Sequence, residues 1–182
     1  DVDEVIVAPG NAGTHQEPGV RNVDIAATDT VGLITLCQRE NIEFTVVGPE
    51  VPLVAGIVDA FVEVNLACFG PTANAARLEG SKAFSKDFMQ RYAIPTAAHQ
   101  PFTDAATAKV YVQSQGVPIV IKADGLAAGK GVIVAQTEKE AANAIDDMLS
   151  GNGFGEAGHR VVVEEFLPGE EASFICLCDG TK

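Results

Sequence analysis

Short β-branched runs alternate with segments of helical period along this chain, and the wiring of the alternation changes partway. EVIVA is ended by PGNAGT, and FTVVG is closed by Gly48 and Pro49. Between them TVGLITLCQREN carries apolar residues at Val31, Ile34 and Leu36, a usable helical face. PLVAGIVDAFVEVN repeats Leu53, Ile57, Phe61 and Val64 at helical spacing and predicts one helix, and LACFGP predicts a third strand. Strands alternating with helices predict parallel βαβ units in an open sheet. Ligands of such sheets bind in the loops after the strand ends, here PGNAGT, GPE and GPT.

The second wiring begins past a predicted helix over 74–92, capped by Asn74 and weakened by Gly80, with the domain boundary placed near residue 74. Leu78, Phe84, Phe88 and Met89 supply its apolar face, and Ile94-Pro95 ends it. HQPFT predicts a short strand, and DAATAKVYVQSQG a helix opened by Asp104 and closed by Gly116. PIVIK and GVIVA predict strands joined only by ADGLAAGK. TEKEAANAIDDMLSG predicts a helix with Thr137 and Glu140 in a capping box. RVVVEEFL and EASFICLC predict two strands joined across Pro168-Gly169.

With 47% hydrophobic residues in 182, the chain can bury a sizeable core in one large or two small domains. Its net charge of −13 repels the phosphates of nucleic acids and anionic lipids, which excludes a general nucleic-acid or membrane-surface role. Binding an anionic ligand therefore requires a few well-placed lysines and backbone N–H groups. No apolar run has membrane-spanning length and no signal segment opens the chain, so a cytoplasmic location is expected. The chain opens at Asp1 and stops at DGTK after an apolar run; both ends are expected to be cuts in something longer. Cys37, Cys68, Cys176 and Cys178 fit no zinc spacing and are expected to be reduced, partly buried thiols, the last two on one face of a strand.

The turn between PIVIK and GVIVA has three readings. A Walker A loop needs a glycine where Asp124 stands, a hydroxyl where Gly131 stands, and a helix afterwards; none is present. The dinucleotide fingerprint also opens into a helix and fails for the same reason. A glycine hairpin that folds over phosphates remains, because Gly125, Gly129 and Gly131 let the backbone approach and Lys122 ends its strand as a point charge. A solvated surface hairpin has the same local pattern. Downstream, VVVEEFLPGEEASF places two acids and two apolar residues at a strand end, then two more acids. A nucleotide base needs an apolar slot with edge donors and acceptors, and a ribose needs an acceptor for its hydroxyls.

Lys122 with its glycine hairpin, followed by EEFLPGEE, resembles the nucleotide-binding lobe of the ATP-grasp ligases. PGNAGT, VGPEVPLVAGIVD, FGPT, LEGSKAFSKDFM, IVIKADGLAAGKGVIVA and HRVVVEEFLPGEEASF, in this order, resemble the phosphoribosylamine–glycine ligase family over essentially the whole chain. The resemblance implies an α/β protein: an incomplete Rossmann-like parallel-sheet domain over 1–74, then the first part of an ATP-grasp domain over 75–182. Its α+β small lobe would cover about 97–165. It also implies ligation of glycine to 5-phosphoribosylamine in purine biosynthesis, with ATP and Mg2+ or Mn2+, by a monomer.

Carried over by motif, Lys82 and Lys122 would contact ATP phosphates. Asp124, Gly125, Gly129, Lys130 and Gly131 would belong to the hairpin that closes over them. Glu164 and the backbone of Glu165 and Leu167 would hold the adenine edge, and Glu171, with Glu170 as neighbour, would accept from the ribose. Gly10, Asn11, Gly13 and Thr14, with Gly48, Pro49 and Glu50, would face the phosphoribosylamine and glycine. Lys86, one turn from Lys82, is expected to be solvated, and His15, His99 and His159 to lie at the surface. The resemblance places the metal ligands beyond Lys182 and none in this stretch, so these 182 residues are expected to hold ATP weakly without turnover. Another ATP-grasp ligase and a non-catalytic nucleotide-binding module are the alternatives; PGNAGT and GPEVPLVAGIVD speak against the first.

Overall fold

The computed structural model describes residues 2–126, 131–150 and 159–178. Strands β1 (Val5–Val7) and β2 (Val20–Asn22) pair in parallel, Val5 opposite Val20. Strands β3 (Thr45–Val46) and β4 (Cys68–Phe69) form a second parallel pair, Thr45 opposite Cys68. The sequence reading missed β2, whose VRN lacks an apolar run.

Helix α1 (Thr30–Glu40) is capped by Asp29, whose carboxylate accepts from the Gly32 N–H, and ends on Asn41 in the left-handed region. The single helix expected next is two, α2 (Glu50–Val54) and α3 (Ile57–Glu63). Gly56 breaks it with φ +89°, a conformation closed to most side chains. Ile57, Val58, Phe61 and Cys37 form the core of this half. Between β1 and β3 lies an open apolar cleft of about 540 Å³, lined by Val5, Val7, Leu36, Val46 and Phe61 among others.

The long helix expected over 74–92 is also two, α4 (Ala73–Gly80) and α5 (Lys82–Arg91). Thr72 caps α4, in place of Asn74, by accepting from the Ala75 N–H. Gly80 lies where α4 meets α2: a Cβ there would come within 2.9 Å of Val54 Cγ2. Ser81 then turns extended (φ −142°, ψ 115°) and caps α5 by accepting from the Phe84 N–H. Asp59 on α3 accepts from the Ala73 N–H at 2.7 Å and fixes the start of α4.

The strands and helices described between residues 99 and 165 form where the hydrophobic pattern predicts them. Strands β5 (His99–Phe102), β6 (Ile119–Ala123), β7 (Val132–Ala135) and β8 (Val161–Glu165) form an antiparallel sheet in the order β5-β8-β6-β7. Helices α6 (Ala105–Gln115), capped by Asp104, and α7 (Glu138–Leu149), opened by the Thr137–Glu140 capping box, belong to the same core. Ile119, Ile121, Val161 and Val163 pack with Ala108, Val112, Ile145 and Met148. Because strand side chains alternate, Val120, Lys122, Val162 and Glu164 face the other way.

EASFICLC is not a strand: residues 171–178 carry no regular structure, and Phe174 and Ile175 are almost fully exposed. A strand exists only when another strand accepts its ladder, and none among the described residues pairs with this segment. Cys176 and Cys178 are therefore exposed, against expectation, while Cys37 is buried and Cys68 half-buried; all four are free thiols. Among the described residues no helix is long and apolar enough to cross a membrane.

Candidate nucleotide site on the second sheet

Lys122 and Glu164 come together because β6 and β8 are neighbours. Val120 stands opposite Glu164 and Lys122 opposite Val162, so the two charged residues are diagonal neighbours on one face. Lys122 Nζ donates to Glu164 Oε2 at 2.8 Å. Lys86, from α5, reaches the same oxygen at 2.9 Å and donates to Thr96 Oγ1 at 2.8 Å. Lys86 is thus buried and paired, contrary to its expected solvation: the Ser81 cap turns this face of α5 onto the sheet. Glu164 is itself 4% exposed, and its Oε1 is buried without a hydrogen-bond partner among the described residues.

The base of the hairpin is fastened to the same helix. Asp124 accepts from Ser81 Oγ at 3.1 Å and from the Ala83 N–H at 3.1 Å, and Arg160 Nε lies 3.4 Å from its other oxygen. A carboxylate at a helix N-terminus satisfies donors that the helix leaves open and complements its dipole. Lys82 Nζ donates to the carbonyl of Gly125, a residue held at φ +101°, at 2.8 Å. On the far side Ala123 N–H donates to the Gly131 carbonyl at 2.8 Å. Lys82, Lys122, Asp124, Gly125, Gly131 and Glu164 therefore converge; Gly129 and Lys130 lie outside the described residues.

At the end of β8 the Glu165 N–H donates to the Ala98 carbonyl at 2.8 Å, and its carboxylate accepts from the Ala98 N–H at 3.2 Å. Glu165 and Phe166 line a cleft of about 350 Å³ with Tyr111, Pro118 and Ile119. Leu167 is more than half exposed, and Glu170 and Glu171 are exposed in the irregular stretch that follows. His99 opens β5 with its side chain only 8% exposed and 3.9 Å from Asp87, so the surface placement expected for it is wrong; His15 and His159 are exposed.

The other candidate loop is shaped by its own side chains. Asn11 Oδ1 accepts from the N–H groups of Gly13 and Thr14, and Thr14 Oγ1 donates to Asn22 Oδ1 at 2.9 Å. Asn22 Nδ2 in turn donates to the Asn11 carbonyl. Gly10 has φ +76°, and a Cβ there would run into the Asn22 side chain. The role of Asn22 escaped the sequence reading because it sits in the unrecognised β2. Gly48 and Pro49 line the cleft between β1 and β3, and Glu50 starts α2. Among the described residues no group of three His, Cys, Asp or Glu side chains is placed to hold a metal ion.

The antiparallel sheet with its paired lysines lies in the part of the chain, residues 80–182, that matches an ATP-grasp (A) domain. Solved structures share the fold. The biotin carboxylase domain of Hydrogenobacter thermophilus 2-oxoglutarate carboxylase, in complex with MgADP, aligns at TM-score 0.66 and 20% identity over 81% of this chain and 34% of that one. Phosphoribosylamine–glycine ligase from Thermotoga maritima aligns at TM-score 0.70 and 32% identity, over 92% of this chain and 39% of that one.

Residues 1–79 match the phosphoribosylglycinamide synthetase N domain and residues 80–182 its ATP-grasp (A) domain. The chain belongs to the phosphoribosylglycinamide synthetase family. Phosphoribosylamine–glycine ligase of Yersinia pestis is 64% identical over 98% of this chain, and that of Escherichia coli K12 is 61% identical over 98%. The chain spans 42% of the length of each of these relatives.

Proposed function

We propose that the protein ligates glycine to 5-phosphoribosylamine in the cytoplasm, with ATP, to give glycinamide ribonucleotide, ADP and phosphate in purine biosynthesis. The observation that carries this is the identity of 61–64% with phosphoribosylamine–glycine ligases over 98% of the chain. The glycine carboxylate attacks the γ-phosphorus and ADP leaves. The amine nitrogen of phosphoribosylamine then attacks the acyl carbon, the C–O bond to phosphate breaks, and the amine proton is lost to solvent. No nucleophilic side chain is needed; positioning and charge compensation suffice.

In this scheme Lys82 and Lys122 contact the phosphates. Asp124, Gly125, Gly129, Lys130 and Gly131 form the covering hairpin. Glu164 and the backbone of Glu165 and Leu167 hold the adenine edge, and Glu171 accepts from the ribose. Glu164 Oε1, without a partner among the described residues, supports a ligand on its face of the sheet, whereas the cleft beside Phe166 lies on the opposite face, beside α6. Gly10, Asn11, Gly13, Thr14, Gly48, Pro49 and Glu50 face the other substrates, in a domain we place at 1–74, ahead of the ATP-grasp part at 75–182. Among the described residues no group of three His, Cys, Asp or Glu side chains fits the implied Mg2+ or Mn2+.

The test is ADP release by the whole protein, expected only with glycine and phosphoribosylamine together. Release with another acid or amine would replace this with a different ATP-grasp ligase. ATP binding without any acceptor-dependent release would leave a nucleotide-binding module.

A further inference from the structure

Two ammonium groups share one oxygen of a buried carboxylate. Lys86 Nζ and Lys122 Nζ lie 2.9 and 2.8 Å from Glu164 Oε2, and Glu164 is 4% exposed. The two lysines are not equivalent. Lys86 has 9% of its side chain exposed and a second acceptor in Thr96, whereas Lys122 has 27% exposed and stands next to the hairpin base. One carboxylate for two cations leaves one positive charge uncompensated, and the cations repel each other across the shared oxygen.

We infer that Lys86 is a positioning residue: it is the standing counter-ion of Glu164 and thereby allows Lys122 to leave Glu164 for an anionic phosphate. A buried carboxylate that loses its only partner is strongly disfavoured. With Lys86 in place, Glu164 stays paired when Lys122 swings away, and the move costs little. Without Lys86, Lys122 is the sole counter-charge among the described residues and is held where it is. Thr96 keeps Lys86 pointed at Glu164 in both arrangements. Lys86 itself touches no ligand in this scheme, and its role rests on the proposed contact between Lys122 and ATP.

The test measures the affinity of the whole protein for a non-hydrolysable ATP analogue by titration calorimetry. Lys86→Met is expected to weaken binding by about tenfold or more, as losing a charge-assisted contact would. In a Glu164→Gln background, which alters the adenine contact of Glu164 equally in both arms, adding Lys86→Met is expected to change affinity little, because a neutral amide no longer holds Lys122. A purely structural role for Lys86 gives the same loss in both backgrounds, and that result, or an unchanged Lys86→Met, overturns the inference. If Lys86→Met fails to fold by circular dichroism, Lys86→Gln takes its place in both arms with the same expectations. Lys122→Ala runs alongside: unchanged affinity there refutes the ATP contact itself, while weakened affinity there with unchanged Lys86→Met refutes only the role of Lys86.

Discussion

Lys122 and Glu164, 42 residues apart, meet at 2.8 Å as diagonal neighbours on two antiparallel strands. The strand ladder sets their separation, so the lysine is presented from a rigid element. Replacing Lys122 with alanine is expected to weaken ATP binding by about 1.5–3 kcal/mol, the usual worth of a hydrogen bond to a charged group. Calorimetric titration with ATP checks it.

Asp124 ties the hairpin base to α5 through Ser81 and Ala83, and to the start of β8 through Arg160. Asp124→Ala leaves the Ala83 N–H and the Ser81 hydroxyl without this acceptor. The expected cost is about 1–3 kcal/mol, read as a lower urea midpoint.

Thr137 and Glu140 close a reciprocal box at the start of α7, whose Ile145 and Met148 are fully buried. Thr137→Ala is expected to cost about 1 kcal/mol. Ile145→Ala in the same helix is expected to cost about 2–5 kcal/mol, because it also leaves a cavity. Urea titrations of both variants should keep the wild-type slope.

Hydrogen bonds from Thr107 hold the Asp104 carboxyl below its ordinary value. A lowered folded value stabilises the fold above the unfolded carboxylate range, about pH 3.9, and that stabilisation disappears as pH falls through the lowered value. Asp104→Asn caps without titrating. The stability gap between wild type and Asp104→Asn should therefore narrow as urea midpoints are followed from pH 6 towards about pH 2.5.

Burial, and to a smaller degree the neighbouring Cys37, pushes the Cys68 thiol up, while Cys176 and Cys178 are exposed. Thiolate is the reactive form. A chromogenic disulfide reagent near neutral pH should modify Cys176 and Cys178 first, with Cys37 and Cys68 released only on unfolding. Early labelling of Cys68 would contradict its placement.

Much of this architecture is written in short-range pattern. The Thr137–Glu140 box, the Asp104 cap, the Gly116 stop and the apolar runs in PIVIK, GVIVA and RVVVEE each involve residues a few positions apart, and each formed as expected. The motif string also carried the family. What local pattern could not carry was any contact decided by packing. Gly56 and Gly80 split two expected helices, Gly80 because α4 presses on Val54. EASFICLC has every local mark of a strand but no neighbour among the described residues to pair with. Lys86 has the sequence context of a solvated lysine, and only the docking of α5 beside Thr96 and β8 buries it on Glu164. The physical reason is the same in each case. Periodicity and capping are energies of neighbouring residues, whereas burial and charge pairing depend on which surfaces the completed fold brings into contact.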